Sequence, residues 1–176
     1  MTPPDRQRRL ECMNAPALQA SLLTRHYGST RALDGVSLEI GPGTSTAIMG
    51  ASGSGKTTLL HVLADILLPD SGTVSFEGTP ISSVGDRERS RLRRYQFGFV
   101  FQQGLLMQEL TAIENVALAL MLQGRSKNES LAPAAHALAT LGLAGLEDRR
   151  IGELSGGQAQ RVAIARAQVT GACVVF

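Results

Sequence analysis

Apolar and polar positions along the chain alternate repeatedly between strand and helix periods. From Leu18 onward, "LQASLLTRHY" and "ALDGVSLEI" are short β-like runs; the turn "GPG" then leads to "STAIMG", which predicts a buried strand. In "KTTLLHVLADILL" the apolar positions Leu59, Leu60, Val62, Leu63, Ile66 and Leu67 predict a helix that Pro69 stops. "SGTVSFEG" reads as a hairpin strand, "GDRERSRLRRYQ" as a charged helix and "FGFVF" as a central strand. Three helical stretches follow. "TAIENVALALML" opens with Thr111 and Glu114 in capping-box spacing, "SLAPAAHALATLGL" ends at Gly142, and "SGGQAQRVAIARAQV" opens with Ser155 and Gln158 in the same spacing. The last residues, Cys173 to Phe176, form an apolar run that predicts a strand buried on both faces. Strands, a helix, a strand, a block of helices and a strand make an α/β domain carrying a helical insertion.

Length and charge narrow the class. A chain of 176 residues suits one domain with a sizeable core. Residues 1–17 carry Pro, Arg and Asn without period and read as a mobile tail ahead of a domain spanning 18–176. The net charge of +2 is too small to argue for a nucleic-acid partner, and "RERSRLRR", with Glu88 inside it, reads as a solvated helix face. Two cysteines, Cys12 and Cys173, lie near opposite ends and suggest unpaired thiols in a reducing compartment. The longest apolar stretch, in "NVALALMLQG", is about half the roughly 20 residues of a membrane span.

One segment carries explicit chemistry. "GASGSGKT" matches G-x-x-x-x-G-K-[ST] at every required position. Gly50, Ala51, Ser52, Gly53, Ser54 and Gly55 form a loop whose backbone amides can converge on an anion, because glycine leaves no Cβ in the way. The helix that begins near Lys56 adds the positive end of its dipole. Lys56 supplies a compact charge to outer phosphates, the Thr57 hydroxyl can ligate Mg²⁺, and Thr58 extends the site into the first turn. The segment predicts binding of a nucleoside triphosphate. A second segment, "LSGGQ" followed by "AQRVAIARA", sets Ser155 as a cap before Gly156, Gly157 and Gln158, making another anion-receptive helix start.

With both segments in this order, the chain resembles the ATP-binding subunit of ABC transporters, from Leu18 to Phe176. "ALDGVSLEI", "GFVFQQ", "LTAIENVAL" and "QRVAIARA" are most similar to the branch serving macrolide-exporter and lipoprotein-releasing permeases. After "FQQ" that branch carries an aromatic residue and a proline where this chain reads "GLLMQEL", in the loop where the family's coupling helix docks. The resemblance implies a P-loop NTPase core with an antiparallel β subdomain and a helical subdomain at roughly residues 103–156. It implies ATP and Mg²⁺ as cofactors, with Thr57 and Gln102 on the metal. Gln102 matches the glutamine that contacts the attacking water, with Gln103 beside it as the lesser candidate. Tyr27 matches the aromatic residue that stacks on adenine; a strand aromatic in a small core is its competing reading. Ser155, Gly156, Gly157 and Gln158 would cap the nucleotide of a second ATP-binding subunit, identical or not.

The implied partner is a transmembrane permease, which would place the protein at the cytoplasmic face of the plasma membrane. The implied reaction is ATP hydrolysis. In the family, the strand after the signature helix ends in an Asp that holds Mg²⁺, followed by a Glu that serves as base. "ACVVF" resembles that strand ahead of those acids, so the expectation is an incomplete cassette that is inactive alone. His26, His61 and His136 precede the signature, so by order none is the switch histidine. The competing readings are a truncated, non-catalytic nucleotide-binding fragment and a soluble ABC-type ATPase outside transport.

Overall fold

The computed structural model describes residues 16–102 and 104–176; the expected tail up to residue 15 and Gln103 lie outside the described residues. The chain forms two compact units that divide between Arg89 and Ser90.

In the first unit, strands β1 (Leu18–Tyr27), β2 (Thr30–Ile40), β3 (Ser71–Phe76) and β4 (Thr79–Pro80) make an antiparallel sheet in the order β2-β1-β3-β4. β1 is central, pairing Leu18 with Ile40 on one side and with Phe76 on the other. Its inward positions Leu18, Ala20 and Leu23, with Leu33, Val74 and Phe76 from its neighbours, are buried. Helix α1 (Lys56–Leu63) lies against β1 and β2 and buries Leu59, Val62 and Leu63.

Two expectations fail in this unit. The segment 45–50 forms no strand: among the described residues no strand pairs with it, and Met49 is 85% exposed. An apolar β-prone run becomes a buried strand only when a ladder partner takes its amides and carbonyls. Helix α1 also ends at Leu63, six residues before Pro69, because Asp65 turns left-handed at φ 55°. The Asp65 amide donates to the carbonyl of Val62 (3.1 Å) and the Ile66 amide to His61 (2.9 Å), the paired bonds that close a helix terminus. Glycine is the usual residue there. Asp65 holds the position by burying its carboxylate against Arg89, Nε to Oδ1 2.8 Å, with Nη2 donating to its carbonyl at 3.0 Å.

Helix α2 (Asp86–Tyr95) contains the division between the units. In the second unit, α3 (Ala112–Leu122), α4 (Lys127–Thr140) and α5 (Gly156–Gln168) pack around Ala112, Val116, Ala117, Ala134, Leu138, Leu143, Val162 and Ala165. Each begins with a complete capping box: Thr111 with Glu114, Ser126 with Glu129, Ser155 with Gln158. The Ser126 cap starts α4 three residues before the "SLAPAAHALATLGL" stretch.

Strand β5 (Phe97–Gly98) pairs in parallel with β6 (Val174–Val175). Gly98 is needed there, since a Cβ would stand 2.4 Å from the carbonyl oxygen of Ala167. Both strands are shorter than "FGFVF" and "CVVF" predict, and β6 is not buried on both faces: Val175 is 46% exposed. Phe97 and Gly98 of β5 are buried, but a two-stranded ribbon gives β6 a single partner and too little cover to bury it. Phe99 stacks between Phe101 and Phe176, with ring centroids 5.9 Å away on each side.

Candidate functional site

The glycine-rich loop leads into α1 through Gly55, the helix N-cap, at φ 84°. A Cβ on Gly55 would stand 2.1 Å from the carbonyl oxygen of Ala32 in β2, so only glycine lets the loop close on the sheet. A Cβ on Gly50 would stand 2.7 Å from the Ser54 hydroxyl oxygen. The Ser54 amide donates to the Ala51 carbonyl at 3.2 Å, which curls the loop around its own centre. Ala51, Ser52, Gly53 and Ser54 are exposed; Gly55 and Lys56 are half-buried, Thr57 exposed and Thr58 half-buried.

Lys56 sits inside this curl. Its ammonium donates to the carbonyls of Gly50 (3.0 Å) and Ala51 (2.6 Å), with Ser54 Oγ at 3.4 Å. Helix α1 has no side-chain cap and no acidic residue in its first turn. Its N-terminal amides are therefore offered outward, unlike those of the three boxed helices, whose caps close back on themselves. An uncapped helix start, a curled loop with a Cβ-free wall and a flexible ammonium match what a polyphosphate requires.

Tyr27 ends β1 and is 51% exposed, so the reading as a packed core aromatic fails. The β ladder ties it to the loop. Its register partner is Thr30, and Ala32, against which Gly55 closes, lies two residues further along β2, about 7 Å of strand.

The remaining predicted residues belong to the second unit. Gln102 is exposed in a turn that the Gly104 amide closes on the Phe101 carbonyl at 2.8 Å. The signature residues stand at the start of α5. Ser155 Oγ accepts from the Gln158 amide (3.3 Å), and Gln158 Oε1 accepts from the Ser155 amide (2.8 Å). Gly156 and Gly157 have ordinary helical backbone, and a Cβ on either would meet nothing within 4 Å. Among the described residues nothing requires glycine at those two positions.

Sequence reasoning passed over two residues that shape the segment after Gln102. Arg166 of α5 donates from Nη1 to the carbonyl of Leu105 and from Nη2 to that of Gly104, both at 2.8 Å. Asn115 of α3 is fully buried: its Oδ1 accepts from the Met107 amide (2.8 Å), while Nδ2 donates to the carbonyls of Met107 (3.0 Å) and Thr111 (3.0 Å). A lone Asn inside the apolar "NVALALML" was the available signal, since a polar group buried in a helix face needs partners elsewhere. Among the described residues no group of three or more His, Cys, Asp or Glu side chains could hold a metal, and no helix is long and apolar enough to cross a membrane.

Known proteins similar to this chain were found by family, by sequence and by fold. The family model described as "ABC transporter" matches residues 33–176. The lipoprotein-releasing system ATP-binding protein LolD of Bordetella pertussis is 44% identical over 165 residues, covering 91% of this chain and 71% of that protein. LolD of Bacteroides thetaiotaomicron is 41% identical over 154 residues, covering 88% and 71%. Among solved structures, the dimeric bacterial ABC transporter cassette MJ0796 superposes with a TM-score of 0.83 at 36% identity, over 90% of this chain and 72% of that one. A dimeric post-hydrolysis state of MJ0796 bound to ADP and Pi gives a TM-score of 0.81 at 35% identity, over the same shares.

Proposed function

The chain belongs to the ABC transporter family, and from that premise we propose that it is the ATP-binding, ATP-hydrolysing motor subunit of a transporter whose membrane permease is of the exporting or lipoprotein- and peptide-extruding type. The observation that carries this reading is the loop from Gly50 to Thr57, closed on Ala32 and opening onto an uncapped helix start.

In this reading the backbone amides of Ser52 to Thr57 surround the phosphates of ATP. The ammonium of Lys56, held on two loop carbonyls, transfers to the outer phosphates by rotation about its four-carbon stem. The Thr57 hydroxyl holds Mg²⁺, and the exposed ring of Tyr27 stacks on the adenine. Bound ATP supplies the anhydride whose hydrolysis resets the subunit.

A second ATP-binding subunit is the natural reader of Ser155, Gly156, Gly157 and Gln158. Two glycines that this chain's own packing does not require suit close approach by another molecule, and the helix dipole there favours an anion. The similar cassette MJ0796 is a dimer. The permease would hold the subunit at the cytoplasmic face of the membrane.

Calorimetry of MgATP with the parent chain and with Lys56→Ala tests the proposal. The parent is expected to release heat with saturable stoichiometry, and Lys56→Ala to bind at least tenfold more weakly. No association by the parent would overturn it.

A further inference from the structure

We propose that Arg25 is a positioning residue for the nucleobase, clamped by Asp70 so that its guanidinium backs the ring of Tyr27 and leaves the opposite face for a purine. The inference rests on the reading of Tyr27 as the stacking residue and extends it to the side chains that fix the ring.

Arg25 and Tyr27 are two apart on β1, so their side chains leave the same face of the strand. The Arg25 guanidinium carbon lies 5.3 Å from the centroid of the Tyr27 ring, within cation–π range. Its Nε is buried and meets no hydrogen-bond acceptor, as fits a guanidinium laid flat against a ring. The outer end is fixed instead: Nη1 donates to Asp70 Oδ1 at 2.6 Å.

Asp70 is itself pinned. Its Oδ2 accepts from the His26 amide at 2.7 Å and lies 3.2 Å from His26 Nδ1, while its own amide donates to the Thr24 carbonyl at 2.8 Å. The His26 amide, then the His26 ring and the Arg25 guanidinium, hold the Asp70 carboxyl below its ordinary range, so the clamp stays charged at neutral pH.

Two consequences follow for a ligand. A ring with one face covered and half its area exposed has a single side for stacking, so Tyr27 presents a prepared platform. The cation also draws electron density from the ring, which favours stacking by an electron-rich purine on the free face. The platform stands one strand pairing and two residues from the Gly55 contact on Ala32, on the same sheet as the phosphate loop.

The test separates base from phosphates by measuring binding of MgATP and of magnesium tripolyphosphate, which has no base. The chains are the parent, Arg25→Leu, Tyr27→Ala and the double variant, with thermal midpoints recorded for each. Arg25→Leu is expected to weaken MgATP about three- to tenfold, the range cation–π strength allows, and to leave tripolyphosphate within about twofold. In the Tyr27→Ala background it is expected to add nothing, as for two residues acting through one contact. Asp70→Asn, which frees the guanidinium without removing it, is expected to give a loss of the same sign and serves if Arg25→Leu unfolds. Equal losses for both ligands, or a loss with Tyr27→Ala but none with either clamp variant, would overturn the inference and leave the ATP-binding proposal standing. A parent chain that binds neither ligand would overturn both.

Discussion

The buried pair at the end of α1 gives the sharpest test of how this chain is held together. Asp65 is 2% and Arg89 7% exposed, so both charges have left water. Removing one partner of such a pair typically costs about 3–5 kcal/mol, because the survivor stays buried without its counter-charge. Arg89→Leu is expected at that level. Asp65→Gly is expected to cost less, about 2–4 kcal/mol, for two reasons. Glycine relieves about 1 kcal/mol of left-handed backbone strain at φ 55°. Arg89 also keeps Nη1 on Asp86 (3.1 Å) and Nη2 on the carbonyl of residue 65 (3.0 Å). The double variant Asp65→Gly/Arg89→Leu replaces the pair by a glycine terminus and an apolar side chain, and should lie within about 1–2 kcal/mol of the parent. The assay is urea unfolding followed by far-ultraviolet circular dichroism, each transition fitted separately because the chain has two compact units. Additive single losses, or an Arg89→Leu loss below 1 kcal/mol, would refute the reasoning.

Three further outcomes are expected. Gly55→Ala should lower MgATP affinity at least tenfold in the calorimetric assay, because its methyl cannot coexist with the Ala32 carbonyl 2.1 Å away and forces the loop off the sheet. Asn115→Leu should destabilise the second unit by about 1–3 kcal/mol, the cost of stranding the Met107 amide, and should speed hydrogen exchange at that amide. Stability should also fall in acid. Glu114, bonded chiefly by Lys127, and Glu129, bonded chiefly by the Ser126 hydroxyl, are both held below their ordinary range. Their contribution is complete above about pH 4.5, the unfolded value, and is lost as pH falls through the lower folded values. Urea midpoints from pH 7 to pH 3 should decline over that window, and less steeply in Glu114→Gln.

What was legible in the sequence was local. Thr111 and Ser155, three residues before Glu114 and Gln158, mark the starts of α3 and α5, because a capping box is made within one turn; the same spacing at Ser126 and Glu129, which starts α4, went unread. The phosphate loop is likewise contiguous, eight residues whose order states its chemistry. The misread parts depend on residues far apart in the chain. Burial of 45–50 needs a neighbouring strand, which its own β-branched residues cannot supply. The end of α1 depends on an arginine 24 positions away that makes a left-handed aspartate tolerable. The clamp on Tyr27 depends on Asp70, 45 residues after Arg25. Asn115 was visible as an oddity in an apolar helix, but its partners appear only once the loop folds over it.

The arginine on α5 gives that helix a second task. Arg166 grips the two carbonyls just after the Gln102 turn, and eleven residues earlier Ser155 closes the other end of the same helix. Between them, Val162, Ala163 and Ala165 are buried, and the rod spans about 16 Å at the rise of an α-helix. Residues 104–105 and the signature glycines are therefore tethered to opposite ends of one packed helix, and the segment after Gln102 shares its anchor with the serine cap.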